Sequence, residues 1–195
     1  MNIEEMEVAM EVAIKKIQAG IDELLAVMEN DAPQYTIYNQ RDPRWAAQRL
    51  GTSNVTIGSY GCLITAYASA LSDAGKVMTP DQLNTWLIQN GGYIQGNLFV
   101  FNAPDKLGVL KFDNVADYPK PAPIDVLDQY VQAGGYIFVQ VDFNPDQSMQ
   151  PHWCRYIGGG SIIDPWYGDI APLTPRYRGR NAAEAIWRAA YYKRL

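Results

Sequence analysis

The stretch HWCRYIGGGSIID, residues 152–164, sets two runs rich in β-branched and aromatic residues on either side of three glycines. That pattern predicts a β-hairpin, with strands over His152–Ile157 and Ser161–Asp164. Register decides what the hairpin carries. If Ile157 pairs with Ser161 across Gly158-Gly159-Gly160, Asp164 opposes Cys154 and His152 lies diagonal to it on the same face. A two-residue loop would slip the pairing by one and send Asp164 to the other face. His152 is the one histidine of the chain, so any imidazole chemistry must use it.

Outward from the hairpin, Tyr136–Val141 (YIFVQV) reads as a strand behind the stop Gly134-Gly135, and Val109–Phe112 as a shorter one. Tyr191–Leu195 closes the chain as a last strand, and Thr36–Gln40 as a first one, entering the turn RDPRW (41–45). Between them lie helix signals. LITAYASALSDA (63–74) is apolar with small residues and ends at Gly75, as a buried helix does. Thr79 as N-cap and Pro80 at the first helical position predict a helix over Pro80–Gln89. Ala122–Ala133 follows the proline-rich YPKPAP, and Asn181–Ala190 is a further helical run, whereas 97–107 fits neither period. Helices first and strands later predict an α+β domain with a largely antiparallel sheet.

Residues 1–30 differ in texture. Ile3, Met6, Met10, Ile14, Ile17, Ile21, Leu24 and Met28 recur at three- and four-residue steps, the mark of an amphipathic helix. The step from Met10 to Ile14 breaks a strict heptad, and Gly20 weakens the middle. Two readings stay open, a helix packed on its own domain and a short coiled coil that makes a homo-oligomer or docks a protein partner. NDAPQ (30–34) breaks the helix, giving an N-terminal segment over 1–33 and a domain over 34–195.

Composition narrows the function classes. The chain has 195 residues, 48% hydrophobic and 19% charged, which is enough for a real core and too little charge for disorder. A net charge of −5 without a basic stripe argues against nucleic acid as a partner. Two cysteines make no disulfide framework. There is no apolar run of the ~20 residues that a membrane span needs, and MNIEEMEV lacks the basic and apolar regions of a secretory signal. The expectation is a chain without its own export signal: cytoplasmic in the producing cell, or virion-associated or released if phage-encoded.

The second place to look for chemistry is TIYNQRDPRWAAQRLGTSNVTIGSYGC (36–62), which delivers Cys62 to the start of the first buried helix. Helix N-termini lower a thiol pKa through their aligned N–H groups. Cys62 read alone is equally a small buried residue, but Gly58-Ser59-Tyr60-Gly61 before it lets backbone approach something closely. Gln40, upstream, is an amide that could complete an oxyanion hole with the Cys62 N–H. Asp164, in the first register, could hold the His152 Nδ1–H while Nε2 faces a thiol.

The order Gln, Gly-Cys opening a helix, His-Trp and Asp-Pro-Trp resembles the papain-like C39 peptidases, in their soluble C39-like branch found in bacteria and bacteriophages. The matching motifs are YNQRDPRWA (38–46), LGTSNVTIGSYGCLITAYA (50–68), GGY (134–136), HWCRYIGG (152–159) and IIDPWYGD (163–170). The resemblance implies a papain-like fold and a cysteine peptidase with no cofactor or metal. It implies a nucleophile at Cys62, a general base at His152, an orienting acid at Asp164 and an oxyanion amide at Gln40. The implied substrate is a peptide, with a peptidoglycan cross-bridge among the candidates. Transporter-linked members carry Asp-Cys-Gly at the nucleophile, where this chain has Gly61-Cys62-Leu63, so their leader-peptide specificity does not carry over.

Cys154, two residues from His152, projects to the same face about 6–7 Å along the strand. It reads as a core cysteine; the alternatives are a disulfide to Cys62, or a zinc site with Cys62, His152 and Asp164 that lacks the usual short Cys-Cys ligand pairs. The rival to the enzyme is a non-catalytic assembly or binding module that keeps the peptidase fold.

Overall fold

The three- and four-residue apolar steps near the N-terminus give one helix, α1 (Ile3–Asn30). Residues 3–30, 34–119, 121–143 and 150–195 are described by a computed structural model. The expected break at 31–33, the polar loop 144–149 before Pro151 and Lys120 of the proline-rich linker lie outside the described residues. The chain divides into two units, Met1–Tyr35 and Thr36–Leu195. In the first, α1 exposes Met10, Ile14, Ile17, Ile21 and Leu24.

The second unit runs through a single turn α2 (Ile57–Tyr60), then α3 (Cys62–Asp73) and α4 (Pro80–Gln89). A small hairpin, β1 (Tyr93–Ile94) and β2 (Leu98–Phe99), leads by a 3-10 turn over Ala103–Leu107 into β3 (Leu110–Asp117). Then come α5 (Ile124–Gln132), β4 (Tyr136–Asp142), β5 (Pro151–Gly158), β6 (Ser161–Asp164) and β7 (Asp169–Pro172). Two short turns, α6 (Leu173–Arg176) and α7 (Ala182–Ala185), precede β8 (Arg188–Arg194). Six strands form one sheet in the order β3-β8-β4-β5-β6-β7, and every neighbouring pair is antiparallel. The fold class is α+β, as the order of elements predicts.

Strand β4 shows why the sheet sits where it does. Phe138 joins a core with Tyr67, Leu71, Leu83 and Tyr192, while Ile137, Val139 and Val141 join another with Leu127, Tyr156 and Ile162. Alternate residues thus enter cores on opposite faces, and the strand reads as a continuous apolar run. The first core carries α3 against β5. There Arg155 donates to Asp73 Oδ2 at 2.6 Å and to Ser69 Oγ at 3.1 Å, a buried ion pair joining helix to strand.

Some expectations are corrected. Thr36–Gln40 forms no strand with any described residue, and its polar groups are taken elsewhere. Thr36 N–H donates to Asp73 Oδ1, Ser69 Oγ donates to Thr36 O, and Gln40 N–H donates to Pro165 O at 2.7 Å. Asn181–Ala190 is helical only over Ala182–Ala185, since the residues from Arg188 are claimed by ladders to both β3 and β4. Among the described residues, no helix is long and apolar enough to cross a membrane.

Candidate active site

Cys62 stands at the first turn of α3, where the N–H groups have no carbonyl four residues back. The approach is fixed by the chain itself. Thr56 caps α2 reciprocally with Ser59, and Gly61 N–H donates to Ile57 O at 2.7 Å. A Cβ on Gly61 would lie 2.5 Å from Ile57 O, and one on Gly58 would lie 2.9 Å from Ala46 O. What these glycines approach closely is therefore the protein's own backbone. Cys62 remains partly exposed, and Cys154 is buried.

The hairpin reaches the expected register by an unexpected route. Arg155 pairs with Ile163 and Tyr156 with Ile162, the pairing that the three-glycine reading requires. Yet Gly158 pairs with Ser161, leaving only Gly159 and Gly160 in the turn, and the ladder shifts between Tyr156 and Gly158. The bulge at Ile157 supplies the residue the short turn omits. Gly158, Gly159 and Gly160 all have positive φ, which suits glycine. Asp128 Oδ1 holds the turn, accepting from Tyr156 OH at 2.5 Å and from Gly159 N–H at 2.9 Å.

Register then delivers a buried pair: His152 Nε2 lies 2.9 Å from Asp164 Oδ1. This reverses the expected orientation. The carboxylate takes Nε2, which leaves Nδ1 as the nitrogen for a thiol. Asp164 is held at both oxygens. Trp166 N–H donates to Oδ1 at 3.0 Å, while Tyr177 OH at 2.5 Å and Arg176 Nη1 at 3.2 Å donate to Oδ2. Arg176 is steadied in turn by a bidentate pair with Asp169 at 2.6 and 2.8 Å. Nothing in the sequence pattern singles out Tyr177 or Arg176. An Arg within reach of two aspartates could have been suspected, but its partners lie across a turn whose geometry the sequence does not specify.

Burial pushes the Cys62 thiol up, but its hydrogen bond to His152 and the charge of that ring outweigh it, helped by the backbone of Trp153 and Leu63. The thiol lies below its ordinary value. Burial opposes charge on His152, yet Cys154, the hydrogen-bonded Asp164 carboxylate and Cys62 favour it, so the ring lies well above its ordinary value. Burial also works against an ionised Asp164, and the bonds to His152, Tyr177 and Trp166 more than offset it. Burial pushes Cys154 up to about 11, a neutral thiol at pH 7. A lowered thiol beside a raised imidazole favours a thiolate–imidazolium pair, able to attack a carbonyl carbon.

Gln40 is buried, its Nε2 donating to Gly58 O at 3.0 Å and its Oε1 without a partner. The surrounding residues staple the segment to the end of the hairpin. Asn39 Nδ2 donates to Tyr167 O, Arg41 Nε donates to Trp166 O, and the Arg41 guanidinium sits 4.7 Å over the Trp166 ring. Trp166 also packs edge-on against Phe143, which packs against His152. His152, Cys154 and Asp164 bring ligand-type atoms within 4.8 Å of one another.

No family model matches this chain, and neither does any curated protein. Among solved structures, it is similar to that of a presumed C39-like peptidase from Bacillus anthracis, at 16% identity and a TM-score of 0.43. The match covers 84% of this chain and 99% of the other. A likeness at that distance carries no functional weight; the chemistry of this chain has to be read from its own site.

Proposed function

We propose that the unit Thr36–Leu195 is a cysteine hydrolase acting on a peptide or amide bond. The observation that supports it is a buried histidine held 2.9 Å from a fully bonded carboxylate, with a partly exposed thiol at a helix start that the ring holds below its ordinary pKa. In this reading His152 Nδ1 holds the Cys62 proton and the thiolate attacks the carbonyl carbon. The C–S bond forms as the carbonyl electrons move to oxygen. The Cys62 N–H and the second N–H of Gln40 Nε2 are the proposed donors to that oxyanion. Collapse breaks the C–N bond, and Nδ1–H protonates the leaving amine. Water, giving its proton to Nδ1, then cleaves the thioester. Asp164 stays ionised throughout and holds Nε2–H. Peptidoglycan cross-bridges fall within the proposed substrate class.

Iodoacetamide tests the reading without a known substrate. Cys62 should label faster than Cys154, and the labelling of Cys62 should slow in His152→Ala. Equal labelling of both cysteines by a folded protein would count against it. The three- and four-residue apolar steps of α1 support a second, assembly role for the N-terminal helix, compatible with the first.

A further inference from the structure

We propose that His152, Cys154 and Asp164 form a binding site for one soft divalent cation of the zinc type, distinct from the Cys62 nucleophile. All three side chains are buried, and one ligand atom from each lies within 4.8 Å of the other two. Imidazole nitrogen, thiolate and carboxylate are the donors that zinc takes, at about 2.0 Å from nitrogen or oxygen and about 2.3 Å from sulfur. The His152 Nε2 and Asp164 Oδ1 already stand 2.9 Å apart, joined by one hydrogen bond. A tetrahedral ion in place of that bond needs only a small separation of the two and an inward move of the Cys154 sulfur.

As ligands, one thiolate and one carboxylate carry two negative charges against the two positive charges of the dication. The Asp164 carboxylate keeps its bonds from Trp166, Tyr177 and Arg176, and these orient it as the outer partners of a metal ligand do. Asp169 pairs with Arg176 and offsets the guanidinium facing the site. A cation on Nε2 also prevents the ring from carrying a proton on both nitrogens, so an occupied site withholds the imidazolium that the proposed reaction uses. Metal binding itself does not depend on that reaction.

Cobalt(II) is the probe, since a thiolate on cobalt gives a charge-transfer band in the near ultraviolet. Titration of the full chain should show that band saturating at one equivalent. It should persist in Cys62→Ser, where with two cysteines in the chain only Cys154 can supply the sulfur. In Cys154→Ser the band should vanish and cobalt affinity fall at least about tenfold. A titration of the wild-type chain without the band, or a band lost in Cys62→Ser, would overturn the site. The Cys62→Ser result decides the matter even if Cys154→Ser does not fold.

Discussion

The Nε2 of His152 bonds Asp164, which leaves Nδ1 as the ring nitrogen for a thiol. Parity could place the two residues on one face, but no strand pattern says which way an imidazole ring turns. The sequence names Cys62, His152 and Asp164 because each type is scarce or sits at a marked boundary. Tyr177 and Arg176 carry no such mark, and Gln40 is marked only by its place upstream of Cys62. The lowered thiol makes a pH prediction. Iodoacetamide labelling of Cys62 should reach half its maximal rate below the ~8.5 of a free cysteine, and the midpoint should rise in His152→Ala. Stability has its own sign. Asp164, held below its ordinary value, stabilises the fold above about pH 4 and loses that contribution as pH falls through its folded value. His152, raised, contributes fully below about pH 6.5 and loses it as pH rises through its folded value. Urea midpoints measured against pH should therefore fall at both ends, and Asp164→Asn should flatten the acid limb.

At the scale of elements, legibility tracks how local the determinants are. Helix α4 runs over Pro80–Gln89 as read, because the Thr79 and Gln82 capping box and the proline lie within a few residues. The end of strand β8 was legible as Tyr191–Leu195, but its start at Arg188 was hidden under a helix-favouring run, since what makes it a strand is two partners distant in sequence. The β5–β6 bulge was equally hidden. Two single-residue slips cancel there, so deleting Gly159 should misplace Asp164 and abolish fast Cys62 labelling. Deleting Ile157 as well should restore it, a second-site suppressor detectable by the same labelling. Removing the carboxylate that holds the turn, in Asp128→Ala, takes the acceptor from Tyr156 OH and from Gly159 N–H, while Tyr156 still accepts from Gly160 N–H. It should cost about 1–3 kcal/mol in urea unfolding. Where α3 meets β5, Asp73→Ala removes the acceptor of both Arg155 and Thr36 N–H, and a loss of about 1–3 kcal/mol is expected.

For the whole molecule, composition and element order gave the α+β class, while the role of α1 rests on an apolar face whose partner no sequence names. Light scattering should show the full chain larger than a monomer and a version beginning at residue 34 monomeric; equal masses per chain would reduce α1 to a simple appendage. Within the second unit, the contacts of Asn39 and Arg41 with Tyr167 and Trp166 join segments 128 and 125 residues apart in the chain. Contacts of such sequence separation carry the largest loop-closure cost and tend to slow folding. Refolding should therefore regain helix signal before it regains rapid labelling of Cys62. The unit would then hold its thiol unreactive during synthesis and assemble a reactive site only once the last ordered strands are in place, a safeguard against premature chemistry that resides in chain order alone.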